Sequence, residues 1–293
     1  MGNERASVFS VGRVMAMGGN TFRELVRQKV FYFLVLFALL VIGGSLFAVK
    51  LTFQEQFQVL KDISLGAMSI FLWLIAVLTT ASLIPRDLED RTLYTILAKP
   101  VPRFEYVLGK LTGVFGVLMA ACGAMSVAFL AVLWMKTQGT HAEILSTYPL
   151  GEERDAALRG LAVSAFSWNL LPGIVLILWK AMVCAAVTLF ISTFASSMVF
   201  TVMISVVVYL IGHMQAVARE YWLTQGGLGL GGRLGNGFVA LVFPDLQMFN
   251  VVDEIALGTP VPWELFWEVS GFAGLYVLMY LLCAQWVFSE REL

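Results

Sequence analysis

Charge is scarce in this sequence. Of 293 residues only 13% are Asp, Glu, Lys or Arg, against roughly 25% in soluble domains, while 59% are hydrophobic and the mean hydropathy is +0.83. A soluble fold could not cover that much apolar surface. The charges that exist nearly cancel, with a net of −1, so no basic field draws in nucleic acid and no nucleic-acid partner is expected. Histidine occurs only at His141 and His213, too few to build a metal-dependent hydrolase at membrane depth. The three cysteines, Cys122, Cys184 and Cys283, each lie in an apolar run, where a thiol packs as a small hydrophobe and a disulfide framework has no role. No G-x-x-x-x-G-K-[ST] loop occurs, so the chain is expected to bind no nucleotide phosphates and to be no ATPase by itself. The first 29 residues have scattered charges and no compact apolar core before a cleavage site, and are expected not to be a removable signal peptide.

What the sequence has in abundance is long apolar runs. A helix needs about 20 apolar residues to cross the hydrocarbon with every backbone group bonded internally. Six segments qualify: Val30 to Val49, Gly66 to Ile84, Leu111 to Met135, Leu171 to Ser196, Met198 to Ala216 and Leu265 to Phe288. The fold class is therefore all-α and integral to a membrane, with residues 30–293 forming one six-helix domain. The fourth and fifth spans are separated by almost nothing and should form a tight hairpin. Placing the N-terminus inside puts eleven Lys and Arg on the cytoplasmic side (Arg5, Arg13, Arg23, Arg27, Lys29, Arg86, Arg91, Lys99, Arg103, Lys110, Arg291) and seven opposite (Lys50, Lys61, Lys136, Arg154, Arg159, Arg219, Arg233). The asymmetry favours cytoplasmic N- and C-termini. Trp134, Trp168, Trp263, Trp267 and Trp286 fall near span ends, where amphipathic rings suit the headgroup level.

Between the spans, three stretches carry information. Val8 to Gln28 mixes apolar residues at helical spacing with Arg23, Glu24, Arg27 and Lys29; Asn20 or Thr21 could cap a helix there. It reads either as a charged anchor or as an interfacial helix lying on the cytoplasmic surface. The connection between the second and third spans, residues 85–110, reads as two short helices with a stiff corner. Asp87, Glu89 and Asp90 complement the dipole at the start of a helix running from Arg86 to Ala98, with Leu93, Ile96 and Leu97 as its apolar stripe. Pro100 and Pro102 end it, and Pro102 can open a second helix whose Phe104, Val107, Leu108 and Leu111 merge into the third span. An ordinary solvated connection is the alternative. Residues 136–170 and 217–264 are longer polar connections on the outer side. The second contains a formal dinucleotide spacing at Gly227, Gly229 and Gly232, but no strand precedes it, so a flexible loop is expected.

Titratable residues inside spans are expensive and mark function or pairing. Lys180, some nine residues into the fourth span, either snorkels to the outer interface or contacts substrate on a transport path; His213 reads as an interhelical hydrogen-bond donor or as a ligand. Gly116, Ala120, Ala124 and Ala128 form a small-residue ridge suited to close helix packing within the subunit.

From Arg86 to Lys110 the sequence resembles the ABC-2 type permease family, in which an acidic cluster, a Thr-Leu, a Leu and a Pro-Val-x-Arg lead into a Gly-Lys. Here these are Glu89 and Asp90, Thr92 and Leu93, Leu97, Pro100, Val101 and Arg103, then Gly109 and Lys110. The stretch from Asn20 to Arg27, with Phe22, Arg23 and Glu24, is similar to that family's N-terminal elbow helix, and the closing Phe288-Ser-Glu-Arg-Glu-Leu resembles its short cytoplasmic end.

The resemblance implies the membrane-spanning permease subunit of an ABC transporter, an exporter, in the inner (cytoplasmic) membrane. It implies a second permease subunit, identical or related, and separate ATPase subunits that bind ATP and Mg; no cofactor is expected in this chain. Arg86, Asp87, Glu89, Asp90, Arg91, Leu93, Ile96 and Leu97 would then couple to the ATPase. A non-transporting membrane scaffold or mechanotransmission subunit is the alternative. An intramembrane enzyme lacks its catalytic residues here, and a secondary transporter would show broken helices or charged midplane residues.

Overall fold

The computed structural model of the chain describes residues 9–47, 53–89, 102–165, 170–224, 242–257, 259 and 261–290. Among the described residues it is all helical and has no strand. In chain order the helices are α1 (Val11–Val26), α2 (Lys29–Gly44, continued by a 3-10 turn at Ser45–Phe47), α3 (Phe53–Ala81), α4 (Leu83–Glu89), α5 (Arg103–Thr147), α6 (Glu152–Ala165), α7 (Leu170–Phe194), α8 (Met198–Thr224), a 3-10 turn at Leu246–Phe249, α9 (Val252–Ala256) and α10 (Trp263–Glu290). Among the described residues, six segments are long and apolar enough to cross a membrane: Lys29–Phe47, Glu55–Asp87, Arg103–Thr147, Leu170–Phe194, Met198–Gln215 and Trp263–Glu290. All six expected spans are thus present as helices.

α7 forms the centre of the bundle. It packs against α3, α5, α8 and α10, and its residues from Ala181 to Leu189 are all buried. Its composition permits this, because an all-apolar helix with no polar stripe has no face that must meet water. α2, α8 and α10 lie outside, with Phe33, Leu36, Leu40, Met203, Val207, Leu210, Leu275, Leu278 and Leu282 exposed. The hairpin between α7 and α8 is as tight as expected: only Ala195, Ser196 and Ser197 separate the helices, and the Ser197 hydroxyl accepts from the Phe200 N–H at 3.3 Å as a cap. Because the spans alternate in direction, this hairpin, α4, the start of α5 and the end of α10 share one end of the bundle, the termini side. The opposite end is the far side.

Several boundaries differ from the expectation, each for a packing reason. Asn20 and Thr21 lie inside α1 and cap nothing; the helix begins after Ser10, because Val14, Gly18, Thr21 and Leu25 continue one buried stripe against α5. α3 starts well before Gly66: Phe57, Leu60, Lys61 and Ser64 are buried at helical spacing under α6 and α9. α5 is a continuous 45-residue helix, about 67 Å at 1.5 Å per residue and so longer than a bilayer core. The stretch 136–170, read as a polar connection, is therefore largely helical. Thr140 and Ile144 extend the buried stripe of α5, α6 folds back on it, and Lys61 donates to the Ser164 carbonyl at 2.9 Å in the last turn of α6. The glycine-rich stretch 226–237 lies outside the described residues. Of the expected ridge on α5, Gly116 meets Phe22, but Ala120 and Ala124 are exposed and do not pack within the subunit.

Residues 242–257 return into the far side of the bundle. Gln215 donates to the Phe243 carbonyl at 2.6 Å, Tyr280 donates to the Val242 carbonyl, and the Asp245 carboxylate accepts from the Gln247 N–H at 3.1 Å to set the 3-10 turn. α9 lies on α3, with Ile255 filling the space beside Gly173 of α7. This return segment sits so close to α8 that a Cβ on Gly212 would be 2.7 Å from the Pro244 carbonyl oxygen and 2.9 Å from Leu246. Backbone cannot yield as a flexible side chain can. Gly212→Val is expected to cost about 1–3 kcal/mol by overpacking, read as roughly 5- to 150-fold faster hydrogen exchange across residues 242–257, with α10 unchanged.

Candidate functional site: a junction at the termini side

The start of α5 gathers four segments. The carbonyl of Pro102 accepts from the N–H groups of Glu105 and Tyr106, so Pro102 opens the helix as expected. Two faces then emerge with a spacing of four. Glu105, Gly109 and Gly113 face α1, while Tyr106 and Lys110 face α4 and α10.

On the first face the Glu105 carboxylate is fully covered. It accepts from Arg13 Nε at 2.6 Å, Arg13 Nη2 at 2.7 Å and the Ser10 N–H at 2.8 Å. This forked arrangement is the geometry a planar guanidinium favours, and the hydrogen bond holds the Arg13 pKa above its ordinary value. One and two turns later the helices touch through glycine. A Cβ on Gly109 would stand 2.7 Å from the Met17 Cβ, and a Cβ on Gly113 2.5 Å from the Thr21 Cβ and 2.8 Å from the Gly18 carbonyl. Gly18 of α1 is equally tight, with Thr112 Oγ1 2.5 Å from its Cβ position. Gly109-x-x-x-Gly113 is a small-x-x-x-small motif that lets two backbones approach.

On the second face, Lys110 Nζ lies 2.7 Å from Asp87 Oδ2, both side chains being about nine-tenths covered, and the Tyr106 hydroxyl donates to the same carboxylate. Tyr106 stacks on Phe288 of α10 with ring centroids 5.6 Å apart. Arg103 completes the contact by donating to the Phe288 carbonyl at 3.0 Å and the Ser289 carbonyl at 2.6 Å, a cation on the negative end of that helix dipole. Arg86 reaches Glu24 of α1 at 3.6 Å; with side chains half and one-third exposed, this pair is worth at most about 1 kcal/mol.

The expected site residues divide accordingly. Asp87 turns inward into the junction, whereas Arg86 stays at its surface. Glu89 is the last residue of α4, and Asp90, Arg91, Leu93, Ile96 and Leu97 lie outside the described residues, as do Pro100 and Val101. On α1, Phe22 lies against Gly116, Glu24 pairs with Arg86, and Arg23 and Arg27 are exposed. Lys180 is far from this junction. It is only 4% exposed, and its Nζ lies 3.1 Å from His213 Nε2 on α8, a polar contact between the two helices. Sequence reasoning passed over Arg13, Glu105 and Tyr106; a carboxylate at the very start of an apolar helix was the available signal.

Arg103, Gly109 and Lys110, three residues of the motif described above, thus make three different contacts at one junction. The family model for ABC-2 family transporter proteins matches residues 15–223, more than two-thirds of the chain. The chain belongs to the ABC-2 transporter family. Comparison with curated proteins finds no relative. As an ABC-2 permease it is a multi-pass membrane subunit, not the ATP-hydrolysing one. The match runs from α1 through α8, five of the six spans, and leaves the return segment and α10 beyond it.

Proposed function

We propose that this permease works with a separate ABC ATPase, which binds ATP and Mg, and with a second permease subunit, and that it exports substrate across the inner membrane. Both termini and residues 85–110 then face the cytoplasm, and residues 86–98 dock on the ATPase. The observation that carries the reading is the junction itself. The segment leading into residues 90–101 is joined by Asp87 to Lys110 and Tyr106 of α5, through Tyr106 to α10, and by Arg86 to Glu24 of α1. A push on that segment would move three helices together. Leu93, Ile96 and Leu97 would supply its apolar contact with a groove on the ATPase.

Two outcomes follow. The purified chain alone should hydrolyse no ATP, and it should copurify with an ATPase chain when the two are expressed together. Leu93→Ala with Leu97→Ala removes two apolar anchors, each worth on the order of 2 kcal/mol if central to the interface, and should lose copurification or stimulated hydrolysis while leaving membrane insertion intact. Normal assembly, hydrolysis and transport in that double variant would refute the docking role. Transport that stays absent while the ATPase assembles and hydrolyses would favour a scaffold or mechanotransmission subunit instead. A thiol at Arg91→Cys that reacts with an impermeant reagent in intact cells would invert the topology.

A further inference from the structure

Lys180, buried, and His213, half-buried, form a pair of basic groups between α7 and α8, away from the junction. The hydrogen positions follow from the contacts. His213 Nδ1 is 3.2 Å from the carbonyl oxygen of Tyr209, which can only accept, so Nδ1 carries the hydrogen. Nε2 then presents its lone pair to Lys180 Nζ at 3.1 Å and accepts from it. The ammonium also lies 5.8 Å from the centroid of the Tyr209 ring, whose own stacking partners are Trp73 at 4.1 Å and His213 at 4.3 Å. Two bases thus share one proton between them, and a second cannot be added at this separation without placing two cations in contact.

We propose that Lys180 and His213 are a proton-binding site that latches the far-side return segment to the bundle. The stretch of α8 that carries the imidazole also carries the return segment: Gln247 donates to the His213 carbonyl at 3.3 Å, Gln215 holds the Phe243 carbonyl, and Gly212 lies against Pro244. Lys180 is the polar tie from this stretch to α7. Other titratable groups facing the pair are Cys184 on α7, Tyr209 on α8 and Asp245 on the return segment; α3 presents Trp73, which does not titrate. A second proton would set an imidazolium 3.1 Å from the Lys180 ammonium for as long as the two nitrogens stay close. Separation of the pair frees His213 to titrate near its ordinary value of about 6.5. By linkage, acid on the far side therefore favours the separated state, each pH unit below that value shifting the ratio of separated to latched forms about tenfold.

The test uses the full chain in lipid nanodiscs, with a nitroxide on Asn250→Cys, an exposed position of the return segment, and Cys283 replaced by serine. From pH 8 to pH 5 the mobile spectral component is expected to grow about tenfold per unit once below about 6.5, then saturate. The chain has just two histidines. His141→Gln should keep the response, whereas His213→Gln, whose amide oxygen still accepts from Lys180 and cannot take a proton, should lose it and stay immobile. An unresponsive parent chain, or a response surviving in His213→Gln, overturns the proposal. Nitrogen-15 histidine spectra of the chain without a change at 213 give a second reading. His213 should show the Nδ1–H form at pH 8 and convert to the doubly protonated form over the range in which the label loosens; an Nε2–H form, or no titration, overturns it equally.

Discussion

Asp87→Ala is expected to destabilise the protein more than any other single charge removal at the termini side, by about 3–5 kcal/mol. The cost arises because Lys110, covered to about nine-tenths and 2.7 Å from the missing carboxylate, keeps its charge without its partner. The Tyr106 hydroxyl loses its acceptor as well. Thermal unfolding followed by detergent-solubilised monodispersity should show the fall, with Arg159→Ala on exposed α6 as the control that shows none. Removing both charges together, Asp87→Leu with Lys110→Met, should recover most of the loss, since no buried charge is then left alone. The double variant is the more informative for function. If it folds well yet no longer links hydrolysis to transport, the ion pair transmits force; if it transports normally, the pair only stabilises the fold. A single Glu24→Ala change, which touches only the exposed contact to Arg86, should alter stability by less than about 1 kcal/mol.

Gly113→Leu should separate α1 from α5. Even the first carbon of a side chain at 113 would be 2.5 Å from the Thr21 Cβ and 2.8 Å from the Gly18 carbonyl oxygen, and the latter is backbone that cannot rotate away. Overpacking of this kind costs about 1–3 kcal/mol when a core can adjust. Here adjustment means moving α1 off the bundle, which also pulls Arg13 from Glu105. The expected result is a chain that still inserts its six spans but whose α1 becomes open to proteolysis, with roughly 5- to 150-fold faster hydrogen exchange over residues 11–26. Gly123→Leu, on an open face of the same helix, should leave α1 protected. Equal protection of α1 in both variants would mean that the glycine contact does not hold it.

Much of this architecture is legible in the sequence because the bilayer is an undemanding reader. A run of about 20 apolar residues has one stable solution in hydrocarbon, so six runs meant six helices whatever their packing. The α7–α8 hairpin followed from the absence of any residues to make a loop, and Pro102 marked the start of α5 because a fixed φ suits a helix opening. The motif between Arg86 and Lys110 indicated the family, yet not what its residues touch. Arg103 ends on the last carbonyls of α10, 185 residues away, and nothing local distinguishes such an arginine from one that faces water.

The stretch after the third span differs from its expectation for a related reason. Residues 136–147 are polar enough to look like a connection, but α6 and α3 lend them a surface on which Thr140 and Ile144 are buried. Helicity there depends on tertiary contact, which periodicity in one segment cannot supply. Small residues posed the converse problem. The ridge from Gly116 to Ala128 and the pair Gly109 and Gly113 satisfy the same spacing rule, and only the placement of α1 makes the second pair the contact and leaves Ala120 and Ala124 exposed. Composition and apolar length by themselves determined that this chain is a six-span helical membrane protein, because those properties act through the solvent on each segment alone. Which charges are paired, which glycines are in contact and where Lys180 goes were decided by the tertiary structure, because each depends on a partner brought close from a distant part of the chain.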